Sequence, residues 1–167
     1  MVKFITSTYL ADVENYELKL FFNSNNVICV KKINKIKKPF ILNEDGNLIK
    51  ILDNNYYILE IVPIDQNYIA RIHLNEHGDI IERFFTMSGE NKIIDKIPSF
   101  EDLKLSYVCT NHGSKVYNQD KFNAMLKDNK ISKEKHIYIL EQFEILKNQI
   151  NQGNNELYNL NYKKYLF

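Results

Sequence analysis

The segment FEDLKLSYV, residues 100–108, has the pattern of a β-strand, and the rest of the chain is interpreted around it. Successive side chains of a strand point to opposite faces of the sheet. One face of this segment therefore carries Leu103, Leu105 and Tyr107, and we predict that it packs on a core. The other face carries an acid, a base and a hydroxyl, and we predict that any chemistry takes place there. This polar row consists of Asp102, Lys104 and Ser106.

Short apolar segments separated by turn residues occupy the first two thirds of the chain. Residues 43–47 and 75–79 combine Asn, Asp and Gly, which are residues that tolerate turn conformations. About eight or nine strands between residues 2 and 118 favour an antiparallel barrel or sandwich over alternating strands and helices. Five lysines lie between residues 31 and 38. We expect this lysine run to be a solvated strand edge, with phosphate binding as the lesser alternative.

The periodicity becomes helical after Asn118, and we predict helices between about residues 119 and 152. Ser132 is the expected N-cap of the longer helix, and Gly153 is its expected end. The predicted stripe of this helix consists of Ile139, Leu140, Phe143, Leu146 and Ile150, with His136 on or beside it and expected to be packed rather than a ligand. The aromatic tail, residues 153–167, is expected either to pack on the strands or to form a homodimer contact.

Composition limits the possible functions. The chain has 167 residues, 44 % hydrophobic and 26 % charged, which fits a single globular domain spanning 1–167. The formal net charge of +1 gives no overall field that would attract nucleic acid or acidic lipid. No apolar run reaches the roughly 20 residues of a membrane span. Two widely separated cysteines are expected to be buried thiols, which favours a reducing cytoplasm.

Five motifs occur in an order that resembles the FomD-like barrel family over roughly residues 31–152. They are NYYILEIVP (55–63), a strand ending in FFTMS (84–88), FEDLKLS (100–106), NQDKF (118–122) and KISKE (130–134). The resemblance implies an antiparallel β-barrel with C-terminal helices. The family includes nucleoside tri- and diphosphatases, so the resemblance also implies metal-dependent hydrolysis of phosphoanhydride bonds.

The family's metal ligands lie at the end of the paired strand, in a three-acid row on the central strand, and as an acidic pair at the start of the next helix. Oxygen ligands of this kind suit Mg²⁺ or Mn²⁺, which neutralise phosphate oxygens and orient water. Carried over to this sequence, these positions fall on Thr86, on Asp102, Lys104 and Ser106, and on Asn118 and Lys121. Asp102 alone keeps the family's carboxylate. Asp120 becomes a second carboxylate ligand if the alignment shifts by two residues.

The charge at these positions changes from about −5 in the family to about +1 here, and positive side chains repel a divalent cation. We therefore expect no resident metal, with Mg²⁺ or Mn²⁺ held by Asp102 and Asp120 as the alternative. Three interpretations remain open. The row is a solvated face with an ion pair from Asp102 to Lys104 or Lys121, or a site that binds a nucleotide or other phosphorylated ligand without efficient hydrolysis, or a hydrolase site with rearranged ligands.

Overall fold

Twelve strands and two α-helices are found in the part of the chain that the computed structural model describes, which is residues 10–94 and 97–167 and the backbone of residues 2–3. In chain order they are β1 Val2–Lys3, β2 Val13–Phe22, β3 Asn26–Ile36, β4 Phe40–Glu44, β5 Asn47–Leu52, β6 Tyr57–Pro63, β7 Tyr68–Leu74, β8 Ile80–Ser88, β9 Lys92–Ile94, β10 Ile97–Phe100, β11 Asp102–Thr110, β12 Gly113–Tyr117, α1 Gln119–Lys127 and α2 Lys133–Asn151, followed by a 3₁₀ turn at Tyr162–Tyr165. The prediction of a mainly β chain with C-terminal helices is confirmed.

The strands form one large antiparallel sheet and two small ones. The large sheet has the order β12-β11-β8-β7-β6-β3-β2, and the small sheets are β1-β10-β9 and β4-β5. Within the described residues β12 and β2 do not pair with each other, so the large sheet is open and the prediction of a closed barrel was wrong. Side-chain alternation indicates which segments are strands, but it does not determine whether the first and last strands meet. The two small sheets cover part of one face of the open sheet.

The two faces of the large sheet are buried by different elements. We call the face under α1, α2 and the tail the helix side, and the opposite face the second face. The helix side holds one large apolar cluster, which includes Cys109 and the α2 residues Ile139, Phe143, Leu146 and Ile150. The helical stripe predicted from the sequence is thus confirmed in its buried members, and Leu140 packs against the same cluster.

Two smaller apolar clusters lie on the second face, one beneath each small sheet. In the first, Leu52 of β5 packs against Ile33 and Ile58. In the second, Phe100 of β10 packs against Cys29 and Val62. Both cysteines are free and buried, as the sequence predicted, and burial raises the pKa of the Cys29 thiol to about 12.

The ends of α2 are set by local chemistry. The Ser132 side chain accepts a hydrogen bond from the backbone N–H of Lys135 at 3.1 Å, so the predicted N-cap is confirmed. Hydrogen bonds from its own backbone N–H and from the Ser132 hydroxyl lower the pKa of Glu134, which lies in the first turn. Past the C-terminal end, Gly153 has a φ of 71°, which glycine adopts without the steric cost that a Cβ would add.

The aromatic tail packs on the chain's own strands. The Tyr57 hydroxyl donates to the backbone carbonyl of Phe167 at 2.7 Å, and the Tyr165 ring meets Phe21 edge-on at 5.2 Å. The Arg83 guanidinium lies 4.2 Å from the Tyr158 ring centre. These contacts agree with the prediction that the tail packs on the strands, while dimerisation through it stays a prediction. None of the helices among the described residues has both the length and the apolar character needed to cross a membrane.

A matched pair of substitutions on α2 tests this packing. Ile139 is 1 % exposed and Ile145 is 49 % exposed. We expect Ile139→Ala to lower the free energy of unfolding by about 2–5 kcal/mol, because it removes buried contacts and leaves a cavity. Ile145→Ala, the control, should change it by less than about 1 kcal/mol. Urea titration followed by circular dichroism measures both, and equal losses would contradict the placement of the helix.

Candidate functional site

A bulge in β11 lies at the centre of the polar row. Asp102 pairs with Ser88 and Ser106 pairs with Thr86, so four positions of β11 span two positions of β8. Lys104 has a φ of 71°, a left-handed conformation that is uncommon for a residue with a Cβ. The bulge changes the spacing of Asp102, Lys104 and Ser106 relative to β8. Leu103, Leu105 and Tyr107 nevertheless all lie in the helix-side cluster, so the predicted apolar face of β11 is confirmed.

The side chain of Asp102 closes the bulge. Its Oδ1 accepts a hydrogen bond from the backbone N–H of Lys104 at 2.8 Å, and its Oδ2 lies 2.6 Å from the Lys104 Nζ. The Lys104 side chain is 48 % exposed, so water screens this ion pair and its contribution to stability is small. The predicted Asp102–Lys104 ion pair is present through Oδ2, while Oδ1 binds the backbone of the same lysine.

Three further predicted site residues meet at the bulge. The Ser106 hydroxyl donates to the Lys104 carbonyl at 2.9 Å and lies 3.0 Å from the Thr86 hydroxyl. The side-chain amide of Asn118 donates to the same carbonyl at 3.4 Å. Asn118 itself has a φ of 59° and precedes the first turn of α1. We call this group the bulge cluster, which consists of Thr86, Asp102, Lys104, Ser106 and Asn118.

Asp120 and Lys121 are not part of the bulge cluster. Both lie in the first turn of α1 as exposed side chains. Within the described ranges, no hydrogen bond or ion pair joins either of them to Asp102. The ion pair of Asp102 is made with Lys104, so of the two pairings that the sequence left open the structure has the first.

The bulge cluster does not fit the divalent metal that the family resemblance implies. Mg²⁺ and Mn²⁺ take several hard oxygen ligands, usually including carboxylates. The cluster offers one carboxylate, and an ammonium group already neutralises it. Across residues 10–94 and 97–167, no three His, Cys, Asp or Glu side chains lie close enough together to hold a metal ion.

A second group of charged side chains is buried on the second face, and sequence reasoning missed it. The Lys31 Nζ lies 2.5 Å from the Glu60 Oε2. The Arg71 guanidinium reaches the other carboxylate oxygen, with its Nη2 2.9 Å and its Nε 3.1 Å from Oε1. The Lys31 side chain has 0 % exposure, so the expectation of a wholly solvated lysine run was wrong at this residue. The alternation of β3 turns Lys31 inward, towards β6 and β7.

Beside this triad lies a buried histidine. The His73 Nδ1 is 2.7 Å from the Glu82 Oε1, and both side chains are 5 % exposed. His73 is two residues after Arg71 on β7, and it pairs directly with Glu82 across the ladder to β8. Alternate residues of a strand share a face, so all these groups lie on the second face, together with Thr86 and Ser106. We call them the buried charge layer, which consists of the buried residues Lys31, Glu60, His73 and Glu82 and the partly buried Arg71.

The sequence contained a weak signal for the buried charge layer. Glu60 is the one charged residue in the otherwise apolar segment 56–62, and Arg71 and His73 are two positions apart in β7. A charge at an inward position of an apolar strand requires a partner, because burial of an isolated ion is costly. Which strand supplies that partner depends on the sheet order, which the sequence did not reveal.

Removing the carboxylate of the triad tests this arrangement. We expect Glu60→Gln to lower the free energy of unfolding by about 3–5 kcal/mol, because it takes away the negative charge that neutralises buried cations. Glu144→Gln removes the carboxylate of the exposed Lys147 pair and should cost less than about 1 kcal/mol. Chemical denaturation at neutral pH measures both variants. A Glu60 variant as stable as the Glu144 control would show that the triad is not essential.

Comparison with known proteins identifies structures with a similar fold and no sequence relatives. No family model and no curated protein sequence matches the chain. Among solved structures, a complex of FomD with CDP is 12 % identical, covers 84 % of this chain and 78 % of its own, and superposes with a TM-score of 0.60. A second structure, the phosphatase SC4828 with the non-hydrolysable nucleotide GPCP, is 7 % identical, covers 83 % and 74 %, and has a TM-score of 0.62.

At these identities a structural match establishes the architecture, whereas activity has to be argued from the site residues. The sequence resemblance to FomD-like proteins is thereby confirmed in the arrangement of strands and helices. The low identity agrees with the divergence expected from the substituted ligand positions. The chain has a FomD-like fold.

Proposed function

We propose that the protein binds the phosphate group of a nucleotide or of another phosphorylated small molecule and does not hydrolyse it efficiently. The observation that carries this proposal is the Lys104–Asp102 ion pair at the bulge. By the sequence resemblance, Lys104 falls at a position where the family carries a metal-binding carboxylate, so the proposal takes its ammonium group to replace the charge of the metal. Two solved structures with this fold contain nucleotides, which supports a nucleotide as the ligand.

The bulge cluster offers donors suited to an anion. Lys104 is half exposed and can exchange its contact with Asp102 for a phosphate oxygen, since lysine binds phosphate as a point charge. The hydroxyl of Thr86 and the amide of Asn118 add neutral donors. The Ser106 hydroxyl is buried and donates to the Lys104 carbonyl, so it would support the lysine rather than contact the anion. Lys121 would contribute from α1 by long-range attraction. In this mode the lysines, rather than a metal, would offset part of the negative charge of the phosphate.

A second candidate is a metal-dependent phosphohydrolase with rearranged ligands, using Asp102 and Asp120. One solved structure with this fold is described as a phosphatase, which favours this candidate. The exposed position of Asp120 and the ion pair of Asp102 weigh against it. A cytoplasmic location remains a prediction that accompanies either candidate.

Ligand binding is testable by thermal unfolding in the presence of EDTA. A nucleotide at about 100 times its Kd should stabilise the protein by about 2.7 kcal/mol, which raises Tm by roughly 2–4 °C per kcal/mol. Lys104→Glu should reduce this shift, because it replaces the attracting charge with a repelling one. Lys130→Glu is the matched control, since Lys130 forms an exposed ion pair with Asp128 two residues before it, as Lys104 does with Asp102.

A panel of nucleoside mono-, di- and triphosphates that leaves Tm unchanged in EDTA would contradict the binding proposal. Equal shifts in wild type and both lysine variants would place the ligand elsewhere. The second candidate predicts release of inorganic phosphate in Mg²⁺ or Mn²⁺ and its loss in Asp102→Asn. Efficient release that Asp102→Asn abolishes would replace the first candidate with the second.

A further inference from the structure

In the part of the chain that the structure describes, the outer strand β2 presents an apolar stripe along a sheet edge to which no other strand is paired. Within the described residues, β3 is the single strand paired with β2, which therefore ends the large sheet. Every second side chain from Tyr16 to Phe22 lies on the second face, and each is exposed by at least 38 %. These are Tyr16, Leu18, Leu20 and Phe22. Long exposed apolar edges pair readily with another strand, and proteins usually blunt them.

β2 pairs with β3 in a regular ladder along only part of its length. Register shifts interrupt the pairing with β3 on both sides of Asn15, so regular ladder geometry runs from Tyr16 to Phe22. The charged residues within that stretch are Glu17 and Lys19, which flank Leu18 on the helix side. Asn34 donates to Glu17 at 3.0 Å, and the Lys19 ammonium lies 3.9 Å from the Phe167 ring centre. Both charges are thus held on one face, beside the free edge.

We propose that β2 pairs with β2 of a second copy of this chain, antiparallel and about a two-fold axis at Leu18, joining two large sheets into one. Directly opposite residues in an antiparallel pair share a face and interact. With the axis at Leu18, Tyr16 lies opposite Leu20 of the second copy, and Glu17 lies opposite Lys19 of the second copy. Two-fold symmetry generates each of these contacts twice.

Charge complementarity selects this register over its neighbours. An axis at Glu17 would bring the two Glu17 carboxylates together, and an axis at Lys19 would bring the two Lys19 ammonium groups together. Like charges directly opposite each other are destabilising. A slip by one residue would set the apolar stripe of one copy against the polar face of the other. Pairing about Leu18 alone combines apolar contacts on one face with two opposite-charge pairs on the other.

The side chains of β2 therefore favour a second copy of the same strand as its partner. Backbone hydrogen bonds supply affinity in strand addition, and alternate side chains supply specificity. This surface is separate from the bulge cluster, which lies on β8, β11 and the start of α1. It also differs from the aromatic tail, which is packed on its own chain.

A charge exchange between two variants tests the proposal. Sedimentation velocity should show wild type dimerising with rising concentration. Glu17→Lys sets ammonium groups of the two copies opposite each other, and Lys19→Glu does the same with carboxylates. Each variant alone should therefore dimerise at least about tenfold more weakly.

An equal mixture of the two variants should recover dimers, because one then carries two positive charges at these positions and the other carries two negative charges. Glu144→Lys, on the exposed side of α2, is the control and should dimerise as wild type does.

Three results would overturn the proposal. Wild type that stays monomeric up to about 1 mM overturns the proposal. Dimers that persist unchanged in both single variants belong to another surface and overturn it as well. Single variants that are monomeric, retain their thermal unfolding transitions and remain monomeric when mixed also contradict it, since complementarity would then have no role. Dimers that are weakened in each single variant and return when the two variants are mixed support the register at Leu18.

Discussion

The ion pair between Lys31 and Glu60 constrains the whole sheet. An ammonium group without exposed surface loses its hydration, and the loss is tolerable because a carboxylate lies at hydrogen-bond distance. That carboxylate also binds Arg71, so strands β3, β6 and β7 are tied by one acid. A slip of any of them by one residue would turn a charge towards the apolar helix side. The register of the central sheet is thus determined by charge as well as by packing.

The same requirement explains why the two faces differ. The helix side is filled by apolar side chains from the sheet, α2 and the tail. The second face combines apolar clusters under the small sheets with charges and hydroxyls between them. The bulge at Lys104 lies towards one end of this polar region, where β11 meets α1. In this chain one side of the large sheet therefore carries a polar region, and the Lys104–Asp102 ion pair lies at one end of it.

Local features of the sequence were predictable, and features that depend on distant pairing were not. Periodicity identified the buried residues Leu103, Leu105 and Phe143, and capping chemistry identified Ser132, because each depends on neighbours a few positions away. The bulge gave no signal, since a lysine at positive φ has none of the composition cues of a glycine turn. The Lys31–Glu60 contact joins residues 29 positions apart and depends on strand order. The open edge of the sheet is likewise a property of strands far apart in the chain.

The two cysteines lie on opposite faces of one sheet, Cys29 beneath the small sheet of β10 and Cys109 among the helix-side residues. Burial raises the pKa of both thiols, so neither reacts readily while its own layer is closed. Each thiol therefore reports on a separate opening event. The alkylation rate of Cys29 would measure how often the small sheet of β10 opens. The alkylation rate of Cys109 would measure how often the helix side opens. The native chain thus contains two thiol probes of local opening, one on each face of the large sheet.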